Sequence, residues 1–278
     1  MLKSIVVAVD ASPSSVEAEK LALTVAGRHG AQLVGIGVLD TPFFTAPMAR
    51  PVGAGAYKEH RDETLVEAAR LRLETRLKEF GAACAAAGAA YGVVEAEGVP
   101  HELIEAEADR HDLIVIGRET NFHGVEHHDI ADVVQRLLRD NPRPLLMAPP
   151  APLTGGRVVV AFDGSRESSR AMHMYILLGL AKGREAHVVS IAADRAEAAE
   201  IAAKGAGLFR SHGFDAEAHG IAARGNPADA ILSQVESMNA GMLVMGAFGH
   251  HNLVHNILVG SATRRLLHDC PAPVFVHH

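Results

Sequence analysis

The second half of the 278-residue sequence repeats the first, and this repeat constrains the fold more than any other feature of the chain. An apolar run that ends in Asp-x-Ser occurs at residues 4–12 and again at residues 157–165. A second apolar run, which ends in glycine, occurs at residues 112–117 and again at 241–246. The chain is therefore predicted to contain two copies of one folding unit.

A connector that is rich first in proline and then in glycine joins the two copies at residues 148–156. A stiff segment followed by a flexible one is typical of a linker between domains. We therefore predict an N-terminal domain at residues 1–150 and a C-terminal domain at residues 155–278, each of a size usual for one domain.

The first copy is longer than the second, and much of the excess is placed between Asp40 and His60. This stretch is rich in Pro, Gly and Ala and is predicted to be a long loop. Its aromatic residues Phe43, Phe44 and Tyr57 have two interpretations: a lid or partner surface, or a flap that covers the domain's own core.

Short apolar runs alternate with helical stripes in both copies, which is typical of βαβ units and a parallel sheet. The runs are apolar almost throughout, as expected for strands that helices cover on both faces. The fold class is therefore predicted to be α/β, with two tandem Rossmann-like domains. Ser12 and Ser165 are predicted to cap the helix after the first strand of each copy. The predicted strands lie near residues 4–9, 32–38, 91–96, 112–117, 144–148, 157–162, 186–192, 215–219, 241–246 and 273–277.

Composition argues against several classes of function. A formal net charge of −7 disfavours a broad basic surface for nucleic acid. No apolar run approaches the ~20 residues that span a bilayer, and Asp10 precedes any signal-peptide core. Cys84 and Cys270 are too few for a disulfide framework and are interpreted as structural. We expect a cytoplasmic protein with small-molecule or protein partners, no nucleic acid and no membrane.

The residues with the clearest chemistry follow the fourth strand of the second copy. Gly246 and Gly249 leave this strand, and Gly260 and Ser261 open the next helix. Glycines at such a turn let backbone N–H groups approach an anion, and the helix start adds the positive end of its dipole. Ligands of open α/β sheets bind beyond the carboxyl ends of the strands, where Asp163 is expected to face this loop. The arrangement suits a nucleotide.

The predicted nucleotide site combines a carboxylate, apolar walls and a phosphate cradle. Asp163 is assigned to a ribose hydroxyl or an adenine amine, and the apolar side chains of neighbouring strands are assigned to the walls around the base. The predicted set is Ala161, Phe162, Asp163, Ile191, Met245, Gly246, Phe248, Gly249, Gly260, Ser261 and Ala262. The alternative is that the glycines only relieve a tight turn and that Asp163 only caps the next helix.

These motifs resemble those of the universal stress protein family, and the chain resembles a tandem member with two such domains. The family's nucleotide signature is Gly, two residues, Gly, nine residues, Gly and then Ser or Thr, whereas the last gap here, between Gly249 and Gly260, holds ten residues. The resemblance implies an adenine nucleotide alpha hydrolase-like fold. Each domain would have five parallel strands in the order 3-2-1-4-5, with the fifth strands paired between domains. The resemblance also implies stress-linked binding of ATP or AMP, usually without efficient turnover.

The first copy departs further from this signature. Thr120, Ala131 and Asp132 stand where the second copy has its two later glycines and its serine. An aspartate repels phosphate, and the loss of both glycines removes the close approach of the backbone. We therefore expect the N-terminal domain to be folded but to carry a degenerate nucleotide site.

Histidines cluster in the loops that follow the fourth strands of both copies. Imidazole and carboxylate ligands suit zinc, but adjacent histidines rarely ligate the same ion, so solvated loop histidines are the favoured interpretation. The candidates for metal ligands are His123, His127, His250, His251 and His255.

The function predicted from the sequence is a non-catalytic adenine-nucleotide sensor or regulator of the stress response. The expected ligand is ATP or AMP, with Mg²⁺ only as a companion of the nucleotide. An unidentified protein and a second copy of the chain are the expected partners. No catalytic residue is predicted, because the kinase-type phosphate loop and the Gly-x-Ser-x-Gly elbow are both absent. The alternatives are a slow ATPase and a zinc-binding interaction protein.

Overall fold

A computed structural model describes residues 1–47, 55–124, 130–247 and 260–278. In these ranges strands alternate with helices, and all ten predicted strands are confirmed with small shifts at their ends. The strands are β1 (Ser4–Ala8), β2 (Gln32–Leu39), β3 (Tyr91–Glu97), β4 (Leu113–Gly117), β5 (Leu145–Ala148), β6 (Val158–Ala161), β7 (Ala186–Ala192), β8 (Ala216–Ala222), β9 (Met242–Gly246) and β10 (Val274–His277). The helices are α1 (Pro13–His29), α2 (Thr41–Phe44), α3 (Gly55–Ala86), α4 (Pro100–Ala108), α5 (Asp132–Asp140), α6 (Arg166–Leu177), α7 (Arg195–Ser211), α8 (Pro227–Ser237) and α9 (Ser261–Asp269).

All ten strands belong to one sheet, in the order β3-β2-β1-β4-β5-β10-β9-β6-β7-β8. Neighbouring strands within each half are parallel. The two halves join where β5 pairs antiparallel with β10 and Leu146 lies opposite Phe275. The implied order 3-2-1-4-5 and the implied pairing of the fifth strands are therefore both confirmed.

Helices cover the sheet on both faces. Because successive residues of a strand point to opposite faces, each strand contributes side chains to both cores. In β1, Ile5 and Val7 belong to the core under α1, α3, α6 and α7. Val6 and Ala8 belong to the core under α4, α5, α8 and α9. All four side chains are fully buried, which explains why the strands are apolar runs without polar alternation.

Serine caps start the helix after the first strand of each domain, as predicted. Ser12 precedes Pro13 at the first position of α1, and its hydroxyl oxygen accepts a hydrogen bond from the N–H of Ser15 at 3.2 Å. Ser165 caps α6 in the same way, accepting from the N–H of Ser168 at 3.1 Å. The repeat in sequence is thus a repeat in structure at this turn.

The prediction of a loop between Asp40 and His60 is wrong for most of the residues that the structure describes there. The short helix α2 follows Asp40 directly, and α3 already begins at Gly55. Proline and glycine suggested irregular structure throughout, yet Lys58 pairs with Asp62 at 2.6 Å, one helical turn further on. Helix α3 has 32 residues whereas α7 has 17, so much of the extra length of the first copy is helical.

The aromatic residues of this segment lie against the N-terminal domain itself. Phe44 is buried in its core. Phe43 stacks on the imidazole of His123 with ring centroids 3.5 Å apart. These contacts correspond to a flap over the domain's own core, whereas the side chain of Tyr57 lies outside the described residues.

Both cysteines are buried as free thiols. Burial raises the pKa of Cys84 to about 11 and that of Cys270 to about 11, so both stay protonated near neutral pH. This burial agrees with their interpretation as structural residues. Among the helices of the described ranges, none has the length and the apolar run that crossing a bilayer needs.

The joint between the two halves of the sheet gives a first prediction. Phe275 of β10 is fully buried and packs edge-to-face on Tyr175 of α6, with ring centroids 5.3 Å apart. Phe275→Ala should lower the free energy of unfolding by about 3–5 kcal/mol, because it leaves a cavity beside the seam. Leu177→Ala, at an exposed site, should change it by less than about 0.5 kcal/mol. Urea unfolding followed by circular dichroism measures both, and similar losses in the two variants would contradict this account.

Candidate functional site

In the C-terminal domain, the carboxyl ends of the adjacent parallel strands β6, β7 and β9 lie side by side. Strand β6 lies between β7 and β9 and pairs in parallel with both. Asp163 follows β6, Ile191 lies near the end of β7, and Gly246 ends β9. The strand ends that the sequence analysis grouped are therefore neighbours in the sheet.

Asp163 is exposed, and the start of α6 holds its carboxylate in place. Its Oδ1 accepts hydrogen bonds from the N–H of Ser165 at 2.9 Å and from Ser168 Oγ at 2.7 Å. The side chain therefore orders the turn into α6, which is the structural role considered as the alternative. The residue as a whole is exposed, unlike its equivalent in the N-terminal domain.

The glycine that ends the fourth strand of each domain is required by helix packing. A Cβ on Gly246 would lie 2.6 Å from the backbone nitrogen of Ser168 in α6. A Cβ on Gly117 would likewise lie 2.4 Å from the backbone nitrogen of Ser15 in α1. Such distances exclude any side chain, so both glycines are explained without a ligand.

The N-terminus of α9 is the candidate phosphate cradle. Gly260 occupies the N-cap position and supplies no side-chain hydrogen bond to the first turn. The first turn contains no acidic residue, and Ser261 is exposed. The N–H groups that begin a helix carry the positive end of its dipole and bind anions where no side chain caps them.

The opposite end of α9 is held by the N-terminal domain. The guanidinium of Arg118, which follows β4, donates to the carbonyl oxygens of His268 and, at 3.4 Å, of Cys270. A cation at the C-terminus of a helix stabilises its dipole. The first domain thus supports the helix whose other end faces the candidate site.

The four predicted wall residues divide between the two faces of the sheet. Ala161, Ile191 and Met245 lie on the side of α8 and α9. Phe162 lies instead in the core under α7, where its ring would meet a Cβ on Gly205 at 2.8 Å. The ring of Phe162 is therefore a core side chain, contrary to its assignment as a wall of the base.

Several predicted residues lie outside the described part of the chain. They are Phe248 and Gly249 of the phosphate loop and His127, His250, His251 and His255 of the metal candidates. His123 is described, and its Nε2 lies 2.8 Å from Asp40 Oδ2 while Phe43 stacks on its ring. These contacts hold the loop after β4 against α2.

The N-terminal domain uses the equivalent aspartate, Asp10, to bind its own chain. Asp10 is only 7% exposed. Its Oδ1 accepts from the N–H of Ser12 at 2.9 Å and from the Ser12 hydroxyl at 2.6 Å. Its Oδ2 accepts from the N–H groups of Asn121 at 2.9 Å and Phe122 at 3.1 Å. The loop after β4 therefore folds back onto the carboxylate.

This closure imposes an unusual backbone conformation on Phe122, which has φ of 65°. The left-handed region costs a residue with a side chain about 1–2 kcal/mol. Hydrogen bonds to a charged group contribute about 1.5–3 kcal/mol each, so the two amide bonds to Asp10 offset this cost. Phe122 is held there by the carboxylate.

The space beside Asp10 is correspondingly small. A cavity of about 30 Å³ remains, and Leu39, Leu73, Arg76 and Phe122 are among its lining residues. This is about the volume of one water molecule and far below the roughly 300 Å³ of the smallest usual ligand sites. Arg76 Nε also donates to the carbonyl oxygen of Asp10 at 3.0 Å.

Sequence reasoning did not foresee this closure. The positive φ of Phe122 has no signal in its residue type, because left-handed residues are usually glycine or asparagine. A second omission had a visible signal, the tripeptide Glu-Ala-His, which occurs at residues 185–187 at the start of β7 and again at 217–219 in β8. The two histidines lie on adjacent parallel strands.

The architecture defines a class of protein: a tandem α/β protein with two five-stranded Rossmann-like units in one sheet. The universal stress protein family matches residues 1–149 and again residues 156–278. The chain therefore belongs to the universal stress protein family, as the motifs suggested.

Comparisons with known proteins agree in family and fold. A universal stress protein of Synechocystis sp. is 24% identical over 164 residues, which are 58% of this chain and 56% of that protein. The chain thus spans little more than half the length of this curated relative. A universal stress protein of Archaeoglobus fulgidus is 19% identical, with a TM-score of 0.69 over 99% of this chain and 95% of that one. A family member from Arabidopsis thaliana, solved with AMP bound, is 16% identical over 53% of this chain and 91% of that one, with a TM-score of 0.36.

The two equivalent aspartates should differ in their contribution to stability. Asp10→Asn should lower the free energy of unfolding by about 1.5–3 kcal/mol, because an amide NH₂ would then face backbone N–H or hydroxyl donors. Asp163→Asn is the matched control and should cost less than about 1 kcal/mol, since its remaining oxygen still accepts both bonds. Urea unfolding of the two variants tests this, and equal losses would show that the closure around Asp10 is unimportant.

Proposed function

We propose that the C-terminal domain binds an adenine nucleotide, ATP or AMP, and that the protein is a non-catalytic sensor or regulator in the stress response. The observation that carries the proposal is the contrast between two equivalent carboxylates. Asp10 is buried against amides of its own domain, whereas Asp163 is exposed where the chain leaves β6. The loop after β4 binds Asp10 in the first domain, whereas Asp163 in the second is an exposed residue.

The phosphates are assigned to the start of α9. The N–H groups at Gly260, Ser261 and Ala262 begin this helix, and Arg264 and Arg265 follow in the first two turns. The equivalent helix α5 begins instead with Asp132, whose carboxylate pairs with Arg136 at 2.7 Å. The start of α9 should therefore attract an anion more strongly than the start of α5, where a carboxylate already occupies the first turn.

The nucleoside is assigned to the ends of β6, β7 and β9. Asp163 would accept from a ribose hydroxyl or from the adenine amine, while its bonds to α6 keep it oriented. Ala161, Ile191 and Met245 supply apolar surface on one side of the sheet. Phe248 and Gly249, which lie outside the described residues, remain part of the proposed site.

A protein partner would recognise the surface at the start of α9 and respond to nucleotide there, in the cytoplasm. Mg²⁺ would accompany the phosphates of ATP, since it is commonly bound through substrate phosphates rather than by a protein cage. The fifth strands already pair within the chain, so a homodimer would use another surface.

The phosphate cradle is tested by Gly260→Asp. A negative charge about 4 Å from a phosphate costs about 4 kcal/mol at an effective dielectric constant of 20, so binding of a fluorescent ATP or AMP analogue should weaken at least 10-fold. Asp132→Ser at the equivalent helix start of the other domain is the control and should leave the affinity unchanged. Undiminished binding by a folded Gly260→Asp protein would refute the placement.

The sensor and the slow ATPase are separated by phosphate release. The purified protein with saturating ATP and Mg²⁺ should release no phosphate above the rate without protein, because no catalytic residue is assigned. Turnover of several per minute that disappears in Asp163→Ala would favour the enzyme instead.

A further inference from the structure

A group of potential metal ligands lies on β7 and β8, away from the proposed nucleotide site. Strand β8 is an edge strand of the ten-stranded sheet. The register places His187 opposite Glu217, and Val189 opposite His219. Because alternate residues of a strand share one face, Glu217 and His219 point to the same side as their cross-strand neighbour His187.

The three side chains converge on one point. His187 Nδ1 lies 3.0 Å from His219 Nε2 and 3.6 Å from Glu217 Oε2. His219 Nε2 lies 3.6 Å from the same carboxylate oxygen. Two imidazole nitrogens and a carboxylate oxygen therefore form a nearly equilateral triangle.

The size of this triangle fits a tetrahedral transition-metal ion. Zinc binds imidazole nitrogen at about 2.0–2.1 Å and carboxylate oxygen at about 2.0–2.2 Å, so donor atoms around a tetrahedral ion lie about 3.3–3.5 Å apart. The observed separations span this value and need to change by only a few tenths of an ångström. Two histidines and one carboxylate are also a ligand set that zinc uses when a fourth position is left to water.

The three side chains differ in how much of each is exposed to solvent. The side chain of His187 is 6% exposed, that of His219 is 28% exposed and that of Glu217 is 60% exposed. The buried imidazole provides a fixed ligand, and the exposed carboxylate leaves a path from solvent. An ion can therefore enter without opening the core.

The second nitrogen of His187 provides an independent observation. Nε2 is buried and makes no hydrogen bond to any described residue. The nearest carboxylate, Glu185 Oε2, lies 3.5 Å away and is itself 3.3 Å from Arg157 Nε. Metal-bound histidines commonly donate their other N–H to a carboxylate, which orients the ring and strengthens the ligand. Glu185 stands where that partner is needed.

We propose that His187, Glu217 and His219 bind one divalent transition-metal ion of the zinc class, with water as the fourth ligand and Glu185 as the partner of His187 Nε2. The ion would join the edge strand β8 to β7. This site differs from the loop histidines considered in the sequence analysis, and it stands independently of the proposed nucleotide site.

Zinc titration of the full-length protein tests this site. The protein is first stripped with a chelator, and binding of Zn²⁺ is then measured by competition with a chromophoric chelator. His219→Gln and Glu217→Gln should each weaken binding by about 10-fold or more, and Glu185→Gln by about 10-fold. His212→Gln, at an exposed position on the C-cap of α7, is the control and should bind as the unmodified protein does.

The comparison of variants separates this site from any other zinc-binding group in the chain. Circular dichroism first establishes that each variant is folded, which is expected because Glu217 and His219 are not core residues. Loss of one equivalent of zinc, or of its affinity, in His219→Gln but not in His212→Gln supports the proposal. Equal stoichiometry and affinity in the unmodified protein and His219→Gln overturn it, and so does an absence of binding to both. In either of those cases His187 and His219 form only a hydrogen-bonded pair.

Discussion

In each domain, the hydrogen bonds accepted by the aspartate after the first strand determine how the candidate site is built. In both domains its Oδ1 orders the turn into the next helix, through Ser12 in one and through Ser165 and Ser168 in the other. Only in the N-terminal domain does the loop after the fourth strand also donate to its Oδ2 within the described residues. In the N-terminal domain this residue type therefore binds both the next helix and the loop after the fourth strand.

The shared sheet determines where the two equivalent aspartates lie. Strands β5 and β10 pair antiparallel, and each is parallel to the neighbouring strand of its own domain. The strands of the two domains therefore run in opposite directions, and their carboxyl ends lie on opposite sides of the sheet. The two equivalent aspartates therefore lie at opposite ends of the strands in the shared sheet. The N-terminal domain still stabilises a helix of the C-terminal domain, because Arg118 donates a hydrogen bond to a carbonyl oxygen at the C-terminal end of α9.

The sequence was a good guide to the fold because its strands are buried on both faces. A run such as Val158–Ala161 has few alternatives when helices cover both sides, and Ser12 and Ser165 start their helices through local contacts. The start of α3 at Gly55 was missed because proline and glycine dominate the stretch before it. The assignment of Phe162 also failed, because the residue sequence does not say which face of the sheet a side chain at a strand end will take.

Tertiary contacts account for what could not be foreseen at the sites. The left-handed Phe122 exists because a distant carboxylate binds its N–H, and no local pattern encodes that contact. The triangle of His187, Glu217 and His219 depends on the register between two strands, although the repeated Glu-Ala-His tripeptide was visible. Both features combine residues that the chain brings together only after the sheet has formed.

A crystal structure of the protein grown with saturating AMP would show which domain holds the nucleotide. We expect a nucleotide in the C-terminal domain alone, with its phosphate against the first N–H groups of α9 and its nucleoside near Asp163. Phe122 should still fill the space beside Asp10. A nucleotide bound beside Asp10, with none beside Asp163, would overturn the assignment of the site to the C-terminal domain.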